Sequence, residues 1–144
     1  MFSKSPDERL SAWTEHRHAL DSSENPLDDL IAFWVNSPFV PYNKDVDPYN
    51  QYSWPTPWEI IVENKYDDFT KALMMAWTLK LTDRFKSSKI EIKTYTDTLR
   101  PRQYNLVLVD DKWVINYNDN DLKVVEDIPE SFMLENLIEV ARPR

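Results

Sequence analysis

The sequence predicts an α+β domain in which a block of helices precedes an antiparallel sheet. Two patterns support this prediction. Before Phe85, apolar residues recur at the spacing of helices that bury one face. After Ser87-Ser88, apolar residues alternate with polar ones, and short turn segments separate the runs, as in strands joined by hairpins. Helices followed by strands favour an α+β layout over an alternating one.

Two helices are predicted in an N-terminal segment, residues 1–37. The first begins at Ser5-Pro6-Asp7-Glu8, where serine is suited to cap the helix, proline fits the first helical position and glutamate completes a capping box. Asn25-Pro26 repeats this start for the second helix, and Pro38 ends it.

A third helix is predicted from about Tyr66 to Phe85. Its apolar residues extend nearly all the way round, which indicates a helix in the middle of the domain. It would pack on an antiparallel sheet of three to four strands. Residues 59–144, which contain this helix and the sheet, are predicted to form the core of a single overall domain.

The strands are predicted from alternation and turn residues. The first begins at Ile90, and Asp110-Asp111 forms a two-residue turn between the next two. Leu122 to Val125 is predicted to be a short fourth strand. Beyond Pro129, the spacing of the apolar residues predicts a C-terminal helix; these residues are Phe132, Leu134, Leu137, Ile138 and Val140.

Residues 38–58 combine five prolines with six aromatic residues. The prolines exclude a regular helix or a central strand, and the aromatics argue against disorder. An ordered loop over the domain surface is therefore predicted, and an aromatic platform for a ligand such as a sugar is the alternative. The aromatic residues proposed for an interaction surface are Phe39, Tyr42, Tyr49, Tyr52, Trp54 and Trp58.

Composition excludes several functional classes. The net charge of -8 argues against nucleic-acid binding, and the absence of cysteine excludes disulfides and cysteine nucleophiles. The chain has no glycine, so phosphate-binding loops are excluded and positive φ angles must fall to Asn or Asp. His16 and His18 would point in different directions on a helix, so no metal site is expected, and no cofactor either.

No secretory signal or membrane-spanning run is recognised in the sequence. We therefore expect a protein that does not contact membranes, located in the cytoplasm or in a virion.

Two segments resemble motifs of a known family. Trp54-Pro55-Thr56-Pro57-Trp58-Glu59 matches a W-x-T/S-P-x-E pattern, and Asn64 to Thr70 lies over G-D-C-E-D-F-A. The strands around Asn105 and Asn116 match later strands that carry His and Asp. On these residues, the chain resembles the transglutaminase-like superfamily, in particular its bacterial and phage cysteine-proteinase-like branch.

The resemblance implies a papain-like scaffold whose Cys, His and Asp positions are occupied here by Tyr66, Asn105 and Asn116. A tyrosine hydroxyl titrates near 10, and neither asparagine takes up a proton at neutral pH. All three catalytic positions of the family are therefore expected to be lost, and the chain is expected not to be an enzyme.

The function expected from the resemblance is a non-catalytic structural or protein-interaction module, with other protein subunits as partners. A multi-copy assembly such as a tailed-phage particle is the implied setting. Two alternatives stay open. One is a hydrolase or transferase with relocated catalytic residues, and the other is a ligand-binding module that keeps the cleft, lined by Trp54, Trp58 and Tyr66.

Overall fold

The structure is a computed structural model that describes all 144 residues. It contains four α-helices, two short 3-10 turns and five strands, which confirms the predicted α+β class. The α-helices are α1 (Pro6–Ser22), α2 (Pro26–Trp34), α3 (Pro57–Glu63) and α4 (Asp68–Lys80). The strands are β1 (Ile90–Asp97), β2 (Arg102–Val109), β3 (Trp113–Ile115), β4 (Lys123–Val124) and β5 (Phe132–Glu139). The 3-10 turns are Gln51–Ser53 and Val125–Asp127.

Side chains cap the starts of α1, α3 and α4, whereas Asn25, the predicted cap of α2, makes no such hydrogen bond. The side chain of Ser5 accepts a hydrogen bond from the Glu8 backbone at the start of α1. Thr56 and Glu59 form a reciprocal capping box at the start of α3, with proline at the first helical position. These local contacts satisfy backbone N–H groups that a helix leaves free at its first turn.

The five strands form one antiparallel sheet in the order β4-β3-β2-β1-β5. The predicted sheet had three to four strands. Helix α4 contacts β1 and β2 near the middle of the sheet, and ten of its thirteen residues are buried. It is the buried central helix that the sequence predicts, although it ends at Lys80 rather than near Phe85.

The predicted C-terminal helix is wrong, because residues 132–139 form β5. The pairing of β5 with β1 shifts between Thr94 and Tyr95, which face Asn136 and Leu134. This β-bulge adds one residue to β5 and interrupts its alternation. The apolar residues beyond the bulge are therefore offset by one position, which produced a spacing that resembles a helix.

Positive φ angles occur only at asparagine and aspartate, as the absence of glycine requires. Asn64 ends α3 in the left-handed region with φ 59°. Asp110 and Asp111, with φ 53° and 56°, are the central residues of a turn that the Lys112 N–H closes by donating to the Val109 carbonyl at 3.1 Å. The connection between β2 and β3 has three residues, Asp110 to Lys112, one more than predicted. Asn116, directly after β3, has φ 65°. Asn and Asp tolerate this region better than other non-glycine residues.

The helices cover one face of the sheet. A single cluster of 26 buried residues extends from Phe2 to Val140 and includes residues from all four helices and the sheet. The other face carries a smaller cluster around Leu106, Leu108 and Val114. Partly buried aromatic rings pack over that cluster: Tyr95, Tyr104, Tyr117 and Phe132.

Residues 38–58 are ordered and lie against the helical layer. The Val40 N–H donates to the Tyr66 carbonyl at 3.0 Å, and Trp54 donates its indole N–H to the Asp47 carbonyl. Trp54 is buried, with only 5% exposed. The other five aromatic residues proposed for an interaction surface are exposed: Phe39, Tyr42, Tyr49, Tyr52 and, to a smaller degree, Trp58. None of the helices combines the length and apolar character needed to cross a lipid bilayer.

Candidate functional site

The candidate site lies at the N-terminus of α4, which faces Asn105 within β2 and Asn116 directly after β3. Asp67 caps the helix, and its Oδ1 accepts hydrogen bonds from the backbone N–H and the hydroxyl of Thr70, at 2.8 and 2.6 Å. Its Oδ2 accepts a bond of 2.9 Å from the Asn43 backbone. One carboxylate therefore fixes the start of α4 and ties segment 38–58 to it.

The next residue, Asp68, connects α4 to the sheet. Its Oδ2 accepts hydrogen bonds from the backbone N–H and the side-chain amide of Asn105, at 3.3 and 2.9 Å. Its Oδ1 accepts a bond of 3.4 Å from the side-chain amide of Asn116. Both oxygens of this carboxylate are thus engaged by groups on β2 and just beyond β3.

The two asparagines, both buried, also bind each other and β1. The side-chain amide of Asn116 donates to the Asn105 carbonyl at 2.9 Å. The Thr94 hydroxyl on β1 donates to Asn105 Oδ1 at 2.8 Å, which agrees with the pairing of Thr94 and Asn105 in register. We call Asp68, Asn105, Asn116 and Thr94 the polar network.

The Asp68 carboxyl is the titratable group of this network. Desolvation raises its pKa, while the Asn105 side chain and the charge of Lys71 act in the opposite direction. The residue nevertheless keeps an exposed surface along a cleft. Lys71 itself forms an ion pair with Asp119, at 3.0 Å. The carboxylate is therefore held mainly by neutral amide donors.

Tyr66, at the position that the resemblance assigns to the family's cysteine, does not join the polar network. Its ring is 1% exposed and packs edge-on against Phe2 and Trp34 in the main core. Its hydroxyl has no hydrogen-bond partner, and burial raises its pKa. The structure brings Asn105 and Asn116 together, and the third member of the group is Asp68 rather than Tyr66.

Asp68 was not among the site residues predicted from the sequence. The signal that could have found it is its position directly after Asp67. A residue that follows an N-cap aspartate stands at the first helical position, where its side chain projects beyond the start of the helix.

A cleft of about 360 Å3 opens above Asp68. Segment 38–58 forms one side through Tyr42, Asp47 and Tyr49, and Gln103 contributes from β2. A larger groove of about 770 Å3 lies elsewhere, between that segment and α3. Trp54 and Trp58 line this larger groove but Tyr66 does not, so the three residues proposed to line one pocket are divided.

The polar network offers little for catalysis. Amide side chains do not take up protons at neutral pH, and the Thr94 hydroxyl is bound to an amide oxygen rather than to a base. Asp68 is its one proton acceptor. No group of three or more His, Cys, Asp or Glu side chains is arranged to hold a metal ion.

Helices pack on one face of an antiparallel sheet, and the start of a buried helix faces β2 and the end of β3. Comparison with solved structures shows that this is the transglutaminase-like, or papain-like, fold. A solved structure with this fold, calcium-bound LapG from Legionella pneumophila, is similar to it with a TM-score of 0.65. The match covers 94% of this chain and 77% of LapG, at 14% identity, and this shows the fold alone. No protein-family model and no curated protein matches the sequence.

Proposed function

We propose that this chain is a non-catalytic structural or protein-interaction module built on a degenerate transglutaminase-like scaffold. One observation carries the proposal. The side chains that face one another at the start of α4 are a carboxylate and two amides, and their hydrogen bonds are made to one another. A site of this kind holds α4, β2 and β3 together and presents no activated nucleophile.

The chemistry of the three side chains supports this proposal. A transglutaminase-like protease needs a thiolate, a base and an orienting carboxylate, and the chain contains no cysteine. Here the carboxylate lies on the helix, and the two strand positions carry Asn105 and Asn116. Removing the base alone would reduce proton transfer, and removing the thiolate as well leaves no covalent step.

The contact surface proposed for the module is formed by segment 38–58. Phe39, Tyr42 and Tyr49 are each more than 70% exposed, and Tyr52 is 86% exposed. Tyrosine and phenylalanine are enriched in protein interfaces, where they contribute large contact areas. Trp54 is excluded from this surface because it is buried in the core. The setting that we propose is a multi-copy assembly, such as a tailed-phage particle.

The absence of catalysis is tested with the wild type and Asp68→Asn, incubated with a peptide library under conditions in which both are folded. Mass spectrometry of the products should show the same background for both proteins and for buffer. Cleavage or acyl transfer by the wild type that Asp68→Asn abolishes would overturn the proposal.

The contact surface is tested by replacing Tyr42 and Tyr49 with serine and recovering the chain from its native particle or extract. A stoichiometric complex should form with the wild type and be lost in this double variant. Leu99→Ser is the matched control, because Leu99 is 81% exposed and lies in the turn between β1 and β2. A complex that survives the tyrosine changes would show that the partner binds another surface.

A hydrolase with relocated residues is the second candidate. The observation that favours it is the raised pKa of Asp68 beside an open cleft, since such carboxyls often act in proton transfer. This candidate requires a second reacting group within hydrogen-bond distance. The neighbours of Asp68 are amides, so it is the weaker of the two.

A further inference from the structure

We propose that the free edge of β5 is a docking site for an extended segment of another protein that alternates apolar and basic residues. The segment would add to the sheet as a sixth strand through backbone hydrogen bonds. This edge is separate from the aromatic surface of segment 38–58. The inference therefore stands or falls independently of the function proposed above.

The two edges of the sheet differ in how they are protected. The edge strand β4 is two residues long and continues directly into the 3-10 turn at Val125–Asp127. The opposite edge strand, β5, is eight residues long, Phe132–Glu139, and contains neither proline nor lysine. Short strands, prolines and lysines are devices that keep sheet edges from pairing with other chains. Strand β5 has none of these three devices, and only its bulge interrupts the edge.

The direction of the free backbone groups follows from the hydrogen bonds of β5 to β1. The Val140 N–H donates to the Ile90 carbonyl at 2.8 Å, so Val140 faces β1. Because successive residues of a strand direct their backbone groups to opposite sides, Glu139 and Leu137 direct theirs away from β1. These groups lie on the open side of the sheet, where an added strand would bind.

The same reasoning applies to the other end of β5. The Thr98 N–H donates to the Ser131 carbonyl at 2.9 Å, which directs the backbone of Leu134 outward. In the register with β1, Leu134 and Leu137 lie opposite Tyr95 and Lys93. The side chains of the two leucines are 47% and 46% exposed. The residues whose backbone groups are free for an added strand therefore also offer apolar side chains.

Charge decides between the possible occupants. Strand β5 carries Glu135 and Glu139 and no basic residue, and the chain has a net charge of -8. A second copy would place like charges along both sides of the junction, although Lys93 lies one strand inward. Like charges across a strand pair are destabilising, whereas lysine or arginine on the added strand would complement the glutamates.

The test uses a labelled peptide of about nine residues that alternates valine and lysine, which matches the length of β5. Two controls have the same length: a valine–glutamate peptide and a valine–lysine peptide that is N-methylated at every residue, which blocks pairing along both of its edges. Fluorescence anisotropy should show that the unmodified valine–lysine peptide binds at least about tenfold more tightly than either control. Hydrogen exchange at Leu134, Leu137 and Glu139 should slow when it binds.

Leu137→Lys places a cation on the edge and should weaken binding by about tenfold. Val62→Lys is the matched control, because Val62 is 43% exposed and lies on α3 in the helical layer, and it should leave binding unchanged. Equal binding of the N-methylated peptide would overturn the proposal, because it would show that charge alone attracts the peptide. Sedimentation velocity supplies the other outcome. If the wild type forms a dimer and Leu137→Lys is monomeric, the edge binds a second copy of this chain. That result would overturn the proposal of a basic partner.

Discussion

Tyr66 and Trp34 meet edge to face in the core, with ring centroids 5.5 Å apart, and each carries a buried polar atom that has no hydrogen-bond partner. The two atoms are the Tyr66 hydroxyl and the Trp34 indole nitrogen. The aromatic rings contribute apolar contacts, while the unpaired hydroxyl costs free energy on burial. Tyr66 thus fills the core as a large ring whose polar atom adds nothing to stability.

Tyr66→Phe should therefore stabilise the protein. The variant keeps the ring and removes the unpaired hydroxyl, so the free energy of unfolding should rise by about 1 kcal/mol. Urea unfolding measures this change. Tyr52→Phe is the control and should have no effect, since Tyr52 is 86% exposed. A loss of stability in Tyr66→Phe would mean that the hydroxyl has a partner and contributes to the fold.

His16 predicts a pH dependence of stability. Its ring stacks on that of Phe33 with the ring centroids 3.9 Å apart, and desolvation lowers the pKa of His16 to about 4 from an ordinary value of 6.5. The unfolded chain therefore takes up a proton at this residue at a higher pH than the folded chain does. As a result, the free energy of unfolding should fall as the pH drops from 6.5 towards 4.

His16→Phe keeps the stacked ring and removes the titration. Between pH 6.5 and 4, its stability should fall less steeply than that of the wild type. Because other groups titrate in both proteins, the difference between the two curves isolates His16. His18→Gln, at an exposed position, should follow the wild-type curve. Parallel curves for wild type and His16→Phe would contradict the prediction.

The turn between β2 and β3 predicts a stabilising glycine. Asp111 occupies the second central position with φ 56°, where glycine is strongly preferred. Asp111→Gly removes the left-handed strain and an exposed ion pair with Lys89. Such pairs contribute little, so a gain of about 1 kcal/mol is expected in thermal or urea unfolding.

Asp111→Ala is the matched control, because it removes the same carboxylate but keeps a Cβ at a positive φ. It should be less stable than Asp111→Gly and no more stable than the wild type. If alanine and glycine had equal effects, the backbone conformation would not be the source of the gain.

Local rules predicted most of the fold. The capped start of α1, the turn at Asp110-Asp111 and the buried α4 depend on residues close in sequence, and they lie where they were predicted. Helix α3 was not predicted, although Thr56 and Glu59 form a capping box at its start. The error at β5 has a different origin. Its pairing with β1 joins segments about 40 residues apart, which local patterns do not reveal. Its bulge also interrupts the alternation of apolar and polar residues by which a strand is recognised in the sequence.

The candidate site was predicted in part for the same reason. Asn105 starts one predicted strand and Asn116 ends its hairpin partner, so their proximity follows from the predicted sheet. The position of Tyr66 relative to α4 does not, because it depends on the residue at which the helix begins. Asp67 caps the helix, so Asp68 rather than Tyr66 faces the strands.

The effect of Asp68→Asn on the free energy of unfolding separates a structural carboxylate from a catalytic one. If the polar network exists to hold α4 on the sheet, an amide at position 68 faces the donors of Asn105 and Asn116, and about 1–3 kcal/mol should be lost. Asp83→Asn is the exposed control and should change little. A gain in stability for Asp68→Asn would contradict this interpretation, because residues kept for activity are often held at the expense of stability.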